Sequence, residues 1–327
     1  MEPLLDIRDL QIEYQSSIGE LCRALDGVSL SLRPREILGV LGESGSGKST
    51  LAASLLRLLP PNGFIRQGQI LFEGRDLLLA DRAELERIRG GRISLILQEP
   101  GVALHPTLRI GRQIEEVLRA HDSLDAASRR KKAQDALSSV FSSDAERIYS
   151  SFPHQLSGGQ RQRAVIAQAI ACRPSLLVAD EPTASLDPST QSEILLLFRQ
   201  FKEQLGLSLI LITHNPGLLA GFADRVAVLY AGEIVELGPA DAVLHQPQHP
   251  YTRALLQCMP ELDASNGTEL DSKLPVIAGD PPDLSALAGG CRFAPRCPER
   301  MEICTMREPV SVQLNDTHQV SCFKYGG

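Results

Sequence analysis

The stretch Gly42-Glu43-Ser44-Gly45-Ser46-Gly47-Lys48-Ser49-Thr50 decides the fold. It sets a glycine, then four residues, then Gly-Lys-Ser, and it joins two segments of different texture. Before it, Ile37-Leu-Gly-Val-Leu41 is a continuous apolar run suited to a strand buried on both faces. After it, Lys48–Leu59 reads as a helix. Glycines let the backbone curl until successive N–H groups point inward at an anion, and the helix starting near Lys48 adds the positive end of its dipole. Lys48 then reaches the β- and γ-phosphates of a nucleotide, and the Ser49 hydroxyl is placed to ligate Mg²⁺. A Gly/Ser-rich surface turn is the bland alternative, but such a turn has no reason to sit between a buried strand and a helix.

A phosphate loop of this kind needs a second half, an apolar strand that ends in acid. Ser175-Leu-Leu-Val-Ala-Asp180-Glu181 supplies it. Asp180 would hold Mg²⁺ directly or through water, and Glu181 would orient and polarise an attacking water as general base. A third element, Leu156-Ser157-Gly158-Gly159-Gln160, opens a helix that continues through Arg161–Ala171. A Ser-Gly-Gly turn at a helix start is another anion cradle, with free N–H groups and a hydroxyl aimed at phosphate. One nucleotide needs one cradle per chain. The second therefore implies that two chains sandwich the nucleotide, each offering this turn to the other's γ-phosphate.

Outward from these motifs, strand-like runs at Ile93–Leu97, Ser175–Ala179, Leu207–Thr213 and Arg225–Tyr230 alternate with helical text, including Gln191–Leu205. That alternation predicts an α/β fold with a parallel sheet covered on both faces. Leu4–Tyr14 and Gly27–Leu32 read instead as a small antiparallel sheet, and residues about 100–160 as a helical insertion without strands. After Gly238 the text turns Pro-rich and polar, which puts a boundary near 240: a core domain over 1–240 and a small, loop-rich appendage over 241–327. The polar stretch Glu261–Ser272 reads as a solvated loop. The 327 residues carry 33 Lys+Arg against 40 Asp+Glu, a net charge of −7, which argues against a general nucleic-acid binder. No apolar run approaches the roughly 20 residues of a membrane-spanning helix. Met-Glu-Pro-Leu-Leu-Asp at the start lacks the basic and apolar regions of a signal peptide. The expectation is a cytosolic protein whose membrane role, if any, runs through partners.

With these motifs in order, the sequence resembles the ATP-binding subunit of an ATP-binding-cassette (ABC) transporter. Leu156–Gln160 matches that family's signature motif. The resemblance implies a P-loop NTPase (RecA-like) core with an N-terminal antiparallel β subdomain and the helical insertion. It implies an ATPase using ATP and Mg²⁺, with Gln98 as the Q-loop glutamine that senses Mg²⁺, Ser185-Leu186-Asp187 as the D-loop and His214 as the switch histidine on the γ-phosphate. Tyr14 stands where the family stacks an aromatic ring on adenine. Two departures are visible: Asn215 follows the switch histidine where Asp is common, and Glu99-Pro-Gly-Val-Ala-Leu-His-Pro106 replaces the more usual Pro-Met-Thr-Ser-Leu-Asn-Pro. Neither removes a catalytic group.

His249-Pro-Tyr-Thr-Arg-Ala-Leu255, Ile277-Ala-Gly-Asp-Pro-Pro-Asp-Leu284 and Gly290-Cys-Arg-Phe-Ala-Pro-Arg-Cys-Pro298 resemble the C-terminal extension of the oligopeptide/dipeptide subclass, which also serves nickel and glutathione importers. The implied partners are a second cassette subunit (a paralogue, or a second copy), two transmembrane permease subunits and, indirectly, an extracytoplasmic solute-binding protein, with no nucleic acid. The implied location is the cytoplasmic face of the membrane, held peripherally. A soluble ABC-type ATPase acting on nucleic acid or ribosomes lacks support, since neither a second cassette in the chain nor a long coiled coil is present. A nucleotide kinase or GTPase would leave Leu156–Gln160 unexplained.

Cys22, Cys172 and Cys258 are scattered, whereas Cys291-x5-Cys297-x6-Cys304-x17-Cys322 form a cluster without the short knuckle usual for structural zinc. Four thiolates can ligate a [4Fe–4S] cluster, as in some members of the subclass, with Zn²⁺ or unligated thiols as alternatives. Arg292, Arg296, Arg300 and Arg307 are expected to offset the charge and lower the thiol pKa values.

Overall fold

The computed structural model describes residues 2–17, 19–258, 276–285, 287 and 289–326. The polar stretch Glu261–Ser272 therefore lies outside the described residues. The chain begins with β1 (Leu5–Gln15), β2 (Leu21–Leu32), β3 (Ile37–Leu41), α1 (Lys48–Leu55), β4 (Gly63–Phe72) and β5 (Arg75–Asp76). A helical stretch follows, broken by one strand: α2 (Arg82–Ile88), β6 (Ile93–Ile96), α3 (Pro100–Ala103), α4 (Ile110–His121), α5 (Ala126–Ser138), α6 (Ala145–Ser150) and α7 (Gly158–Ile170). Then come β7 (Leu176–Asp180), α8 (Pro188–Leu205), β8 (Ser208–Thr213), β9 (Arg225–Tyr230) and β10 (Glu233–Pro239). The tail holds α9 (Ala240–His245), α10 (Pro250–Gln257), β11 (Val312–Asn315) and β12 (His318–Val320).

The chain divides into two compact units. One comprises residues 1–32, 37–78 and 212–327, the other 33–36 and 79–211, so β8 runs across the division. In the first unit, β1 pairs antiparallel with β2 and with β4. Leu5, Ile7, Leu10 and Ile12 of β1 are buried while the polar residues between them are not, the alternation of a sheet with one face on the core. The same unit pairs β3 in parallel with β9, whose apolar runs are buried on both faces. In the second unit β6 and β7 pair in parallel, and residues 100–160 contain helices and no strand. Ile110, Ile114 and Leu118 fall on one face of α4 at the helical spacing and are fully buried. Arg130, Lys131 and Lys132 of the basic run on α5 face solvent.

Strands β4 and β10 have no counterpart among the strands expected from sequence. Their apolar residues are separated by Gly, Gln or Glu, which breaks up the continuous runs and clean alternation on which those expectations rest. The predicted helix over Lys48–Leu59 stops at Leu55, because Arg57 takes a left-handed conformation with φ of 49°.

Residues after 240 are sewn into the first unit. β12 pairs antiparallel with β10, Glu236 opposite Val320 and Leu237 opposite Gln319. Glu236 is completely buried, which is tolerable only because its carboxylate accepts hydrogen bonds from the N–H groups of Gln248 (2.8 Å) and His249 (2.9 Å) and meets His318 Nε2 at 2.9 Å. Tyr230, Tyr251 and Phe293 pack as an aromatic cluster, with ring centroids 4.4 Å apart for Tyr230–Tyr251, 5.3 Å for Tyr230–Phe293 and 5.4 Å for Tyr251–Phe293. Among the described residues no helix is long and apolar enough to cross a membrane.

Phe293, which the tail contributes to that cluster together with Tyr251, is 1% exposed. Phe293→Ala should therefore destabilise the first unit by about 3–5 kcal/mol in equilibrium urea denaturation, and Phe293→Leu by less. A change below about 1 kcal/mol would show that the cluster does not act as core.

Candidate functional site

In the first unit, β3 delivers the chain to Gly42 and α1 carries it away from Lys48. The loop between them lies hard against its surroundings. A Cβ on Gly42 would stand 2.2 Å from the carbonyl oxygen of Leu229, and one on Gly47 2.6 Å from that of Ala24. Gly47 is the N-cap of α1, with φ of 107° and no side-chain cap, so the first N–H groups of the helix are presented to the loop. Gly232 N–H donates to the carbonyl of Ser46 at 2.9 Å, which ties the loop to the turn between β9 and β10. Lys48 is buried, and its Nζ donates to the carbonyls of Gly42 and Glu43, each at 2.7 Å, with Ser46 Oγ at 3.4 Å. Ser44, Gly45 and Ser49 are exposed. Tyr14, near the end of β1, meets Thr50 Oγ1 through its hydroxyl at 3.3 Å, so the structure brings these two expected site residues together.

His214 follows β8 and is exposed in the same unit. Asn215 accepts a hydrogen bond from Gly217 N–H at 2.8 Å and so caps the short turn Pro216–Leu218. An aspartate would cap it with the same acceptor, so this departure leaves the local frame of His214 intact.

The second unit carries the other expected residues. Asp180 ends β7, every residue of which is buried. Glu181, next in the chain, has φ of 47°, a strained value for a non-glycine residue. Gln98 Nε2 donates to Glu181 Oε2 at 3.3 Å, so these two are brought together. Ser157 is exposed, and its hydroxyl oxygen also caps its own helix. It accepts from Gln160 N–H at 3.3 Å while Gln160 Oε1 accepts from Ser157 N–H at 3.2 Å, a capping box that starts α7. Leu156 is buried behind the turn, whereas a Cβ on Gly158 would meet nothing. Ser185 and Leu186 lead to Asp187, the N-cap of α8. It accepts from Thr190 N–H (3.0 Å) and from the hydroxyls of Ser189 (2.5 Å) and Thr190 (2.8 Å), which hold its carboxyl well below the usual carboxylate range.

Cys291, Cys297, Cys304 and Cys322 line one small cavity in the tail, beside His249 and Phe293. All are free thiols, and among the described residues no group of three or more His, Cys, Asp or Glu side chains stands arranged to hold a metal ion. The expected lowering of thiol pKa values by nearby arginines is corrected. Burial pushes the Cys291 thiol up to about 11 and raises those of Cys297 and Cys322. Two of the arginines are committed elsewhere: Arg292 pairs with Asp26 and Glu233, and Arg296 pairs with Glu43.

That last pair was not legible in the sequence. Arg296 and the Tyr251 hydroxyl both reach Glu43, inside the phosphate loop, from more than two hundred residues away. Only their position within the tail segments quoted above marked them at all.

The comparisons with known proteins agree with this geometry. The ABC transporter family profile matches residues 25–184, and the profile of the oligopeptide/dipeptide transporter C-terminal region matches residues 235–304. The oligopeptide transport ATP-binding protein OppD of Bacillus subtilis (strain 168) is 42% identical over 97% of this chain and 87% of its own length. The dipeptide transport ATP-binding protein DppD of the same organism is 43% identical over 99% and 95%. Among solved structures, the dimeric post-hydrolysis state of the ATP-binding cassette MJ0796 bound to ADP and Pi superposes with a TM-score of 0.64 at 29% identity, covering 72% of this chain and 98% of that one. CbiO1 from Clostridium perfringens, part of the transporter complex cbiONQ, gives 0.65 at 27% identity, covering 75% and 92%. A phosphate loop in its strand-to-helix setting, the signature turn at the start of α7 and relatives matched along nearly their whole length place the chain in the ABC transporter ATPase family, as an ATP-hydrolysing cassette that carries the oligopeptide/dipeptide transporter C-terminal region.

Proposed function

We propose that this chain powers the import of di- and oligopeptides through an ABC permease. The observation that carries the reading is the tail. Its family profile is that of oligopeptide/dipeptide transporters, and relatives named for oligopeptide and dipeptide transport match across it. In this reading residues 1–240 form the cassette, with its helical subdomain over about 100–160, and residues 241–327 form the subclass extension.

Mg·ATP binds to the loop Gly42–Thr50, Lys48 exchanging its carbonyl partners for the β- and γ-phosphates, Ser49 and Asp180 ligating Mg²⁺ with Gln98, and Tyr14 stacking on adenine. Glu181 takes the proton of the attacking water and His214 contacts the γ-phosphate. The hydrogen bond from Gln98 to Glu181 supports this assignment, because it sets the two expected residues side by side. A second cassette covers the nucleotide with Leu156–Gln160, and Ser185-Leu186-Asp187 links the two sites. Gly158 supports the sandwich. Among the described residues nothing lies within 4 Å of where its Cβ would stand, which leaves room for a phosphate to approach the backbone. The permease subunits dock on the cytoplasmic face. Val102 within α3 and Leu97 and Leu108 on either side of it are exposed apolar residues that favour that segment as a contact. A solute-binding protein delivers the peptide on the far side.

The four tail thiols, not arranged around a metal in this structure, would have to draw together to hold a [4Fe–4S] cluster with a structural role, Zn²⁺ being the alternative. The support is that a soft Cys₄ donor set lines one cavity. The raised thiol pKa values mean that loading must release protons, so incorporation should weaken as pH falls.

In the purified permease complex, Lys48→Ala should abolish both Mg·ATP binding and turnover. Glu181→Gln should keep binding and lower turnover by at least about a hundredfold. Unchanged turnover in either variant would sink the site assignment. Peptide, rather than nickel or glutathione, should stimulate ATP hydrolysis in proteoliposomes supplied with the binding protein. Anaerobically purified full-length protein should be brown and contain iron and acid-labile sulfide. Cys297→Ser should lose both, and stoichiometric zinc in colourless wild-type protein would replace the cluster with zinc.

A further inference from the structure

Glu43 is an acid placed inside a loop built for a polyanion, and the tail neutralises it. Arg296 meets its carboxylate in a two-pronged pair, Nη1 to Oε2 at 2.8 Å and Nη2 to Oε1 at 3.1 Å. The arginine side chain is 5% exposed and the glutamate 24%. The fork is itself braced, with Arg296 Nε donating to the carbonyl of Ala278 at 3.1 Å, Nη1 standing 3.4 Å from the Tyr230 hydroxyl, and the guanidinium 5.9 Å over the Tyr230 ring. The backbone of Glu43 is held as well. Its N–H donates to the hydroxyl of the fully buried Tyr251 at 2.9 Å, and its carbonyl accepts from Lys48 Nζ.

These contacts have a consequence for binding. An unpaired carboxylate at this position would repel the phosphates at short range, where solvent screens poorly. When Lys48 turns to a phosphate it must also release the carbonyls of Gly42 and Glu43. The contacts of Tyr251 and Arg296 do not depend on Lys48, so they keep the loop in shape through that exchange. We infer that Arg296, seconded by Tyr251, is a positioning residue for ATP: the C-terminal extension neutralises Glu43 and pins the phosphate loop, so nucleotide affinity in this chain depends on its tail. The inference rests on the reading of Gly42–Thr50 as the ATP site.

Equilibrium titration of the full-length chain with Mg·ATP tests it. Arg296→Ala should raise the Kd about tenfold, and in the permease complex it should raise KM for ATP while kcat stays nearly constant. The Glu43→Gln/Arg296→Ala double variant, which removes the charge that Arg296 neutralises, should return the Kd to within about threefold of wild type. A tail that merely misfolds without Arg296 would not be rescued by a change at position 43. Wild-type affinity in Arg296→Ala, or a double variant no better than Arg296→Ala, overturns the inference. Lys48→Ala separates the two levels. If it binds Mg·ATP as the wild type does, the reading of the loop fails and this inference with it. If Lys48→Ala loses binding while Arg296→Ala keeps it, the inference alone fails.

Discussion

Everything in the first unit is arranged around one steric constraint: the backbone of Gly42–Gly47 must lie against other backbone with no side chain between. The Leu229 carbonyl stands where a Cβ of Gly42 would go, and that of Ala24 where a Cβ of Gly47 would go. With the loop bedded so closely, its N–H groups can converge and Lys48 can cross the loop to its carbonyls. The bed is made by β2, β9 and the β9–β10 turn, so the surrounding strands serve as the mould of the loop.

The tail belongs to that mould. It shares a sheet with β10, shares an aromatic cluster with Tyr230, and satisfies the buried carboxylate of Glu236 with two backbone donors and a histidine. None of these contacts is a surface ion pair of the kind that contributes little. A buried carboxylate stripped of its donors is costly, so the extension cannot come away from β10 without leaving Glu236 stranded. The compact unit that contains the phosphate loop accordingly runs to the end of the described chain. The boundary expected near 240 follows sequence texture, whereas compactness follows contacts.

Capping shows how one set of residues serves folding and chemistry together. Ser157, Asp187 and Asn215 each stand in a motif assigned to nucleotide handling, and each caps a helical turn in its own unit. An oxygen acceptor followed by free N–H groups is what a helix start requires and also what an anion site offers. At Ser157 the two uses are compatible, since its oxygen accepts from Gln160 N–H to cap α7 while its own proton is left to donate.

Local chemistry made the phosphate loop, the acid-terminated strand β7 and the helix starts legible in the amino-acid sequence. Each depends on residues within about ten positions of one another, on glycine conformational freedom, apolar runs and capping side chains. Strands β4 and β10 were not legible, since Gly, Gln or Glu separate their apolar residues and break up the pattern that marks a strand. The thiol environment was misjudged for another reason. Arginines adjacent in sequence to Cys291 and Cys297 point to Asp26, Glu233 and Glu43, leaving burial to raise the thiols. Motifs contiguous in the chain are enough to identify an ABC ATPase with a subclass tail. That the tail reaches the phosphate loop is visible only in the folded molecule, because residues 43 and 296 form a charge pair only where folding has brought them together.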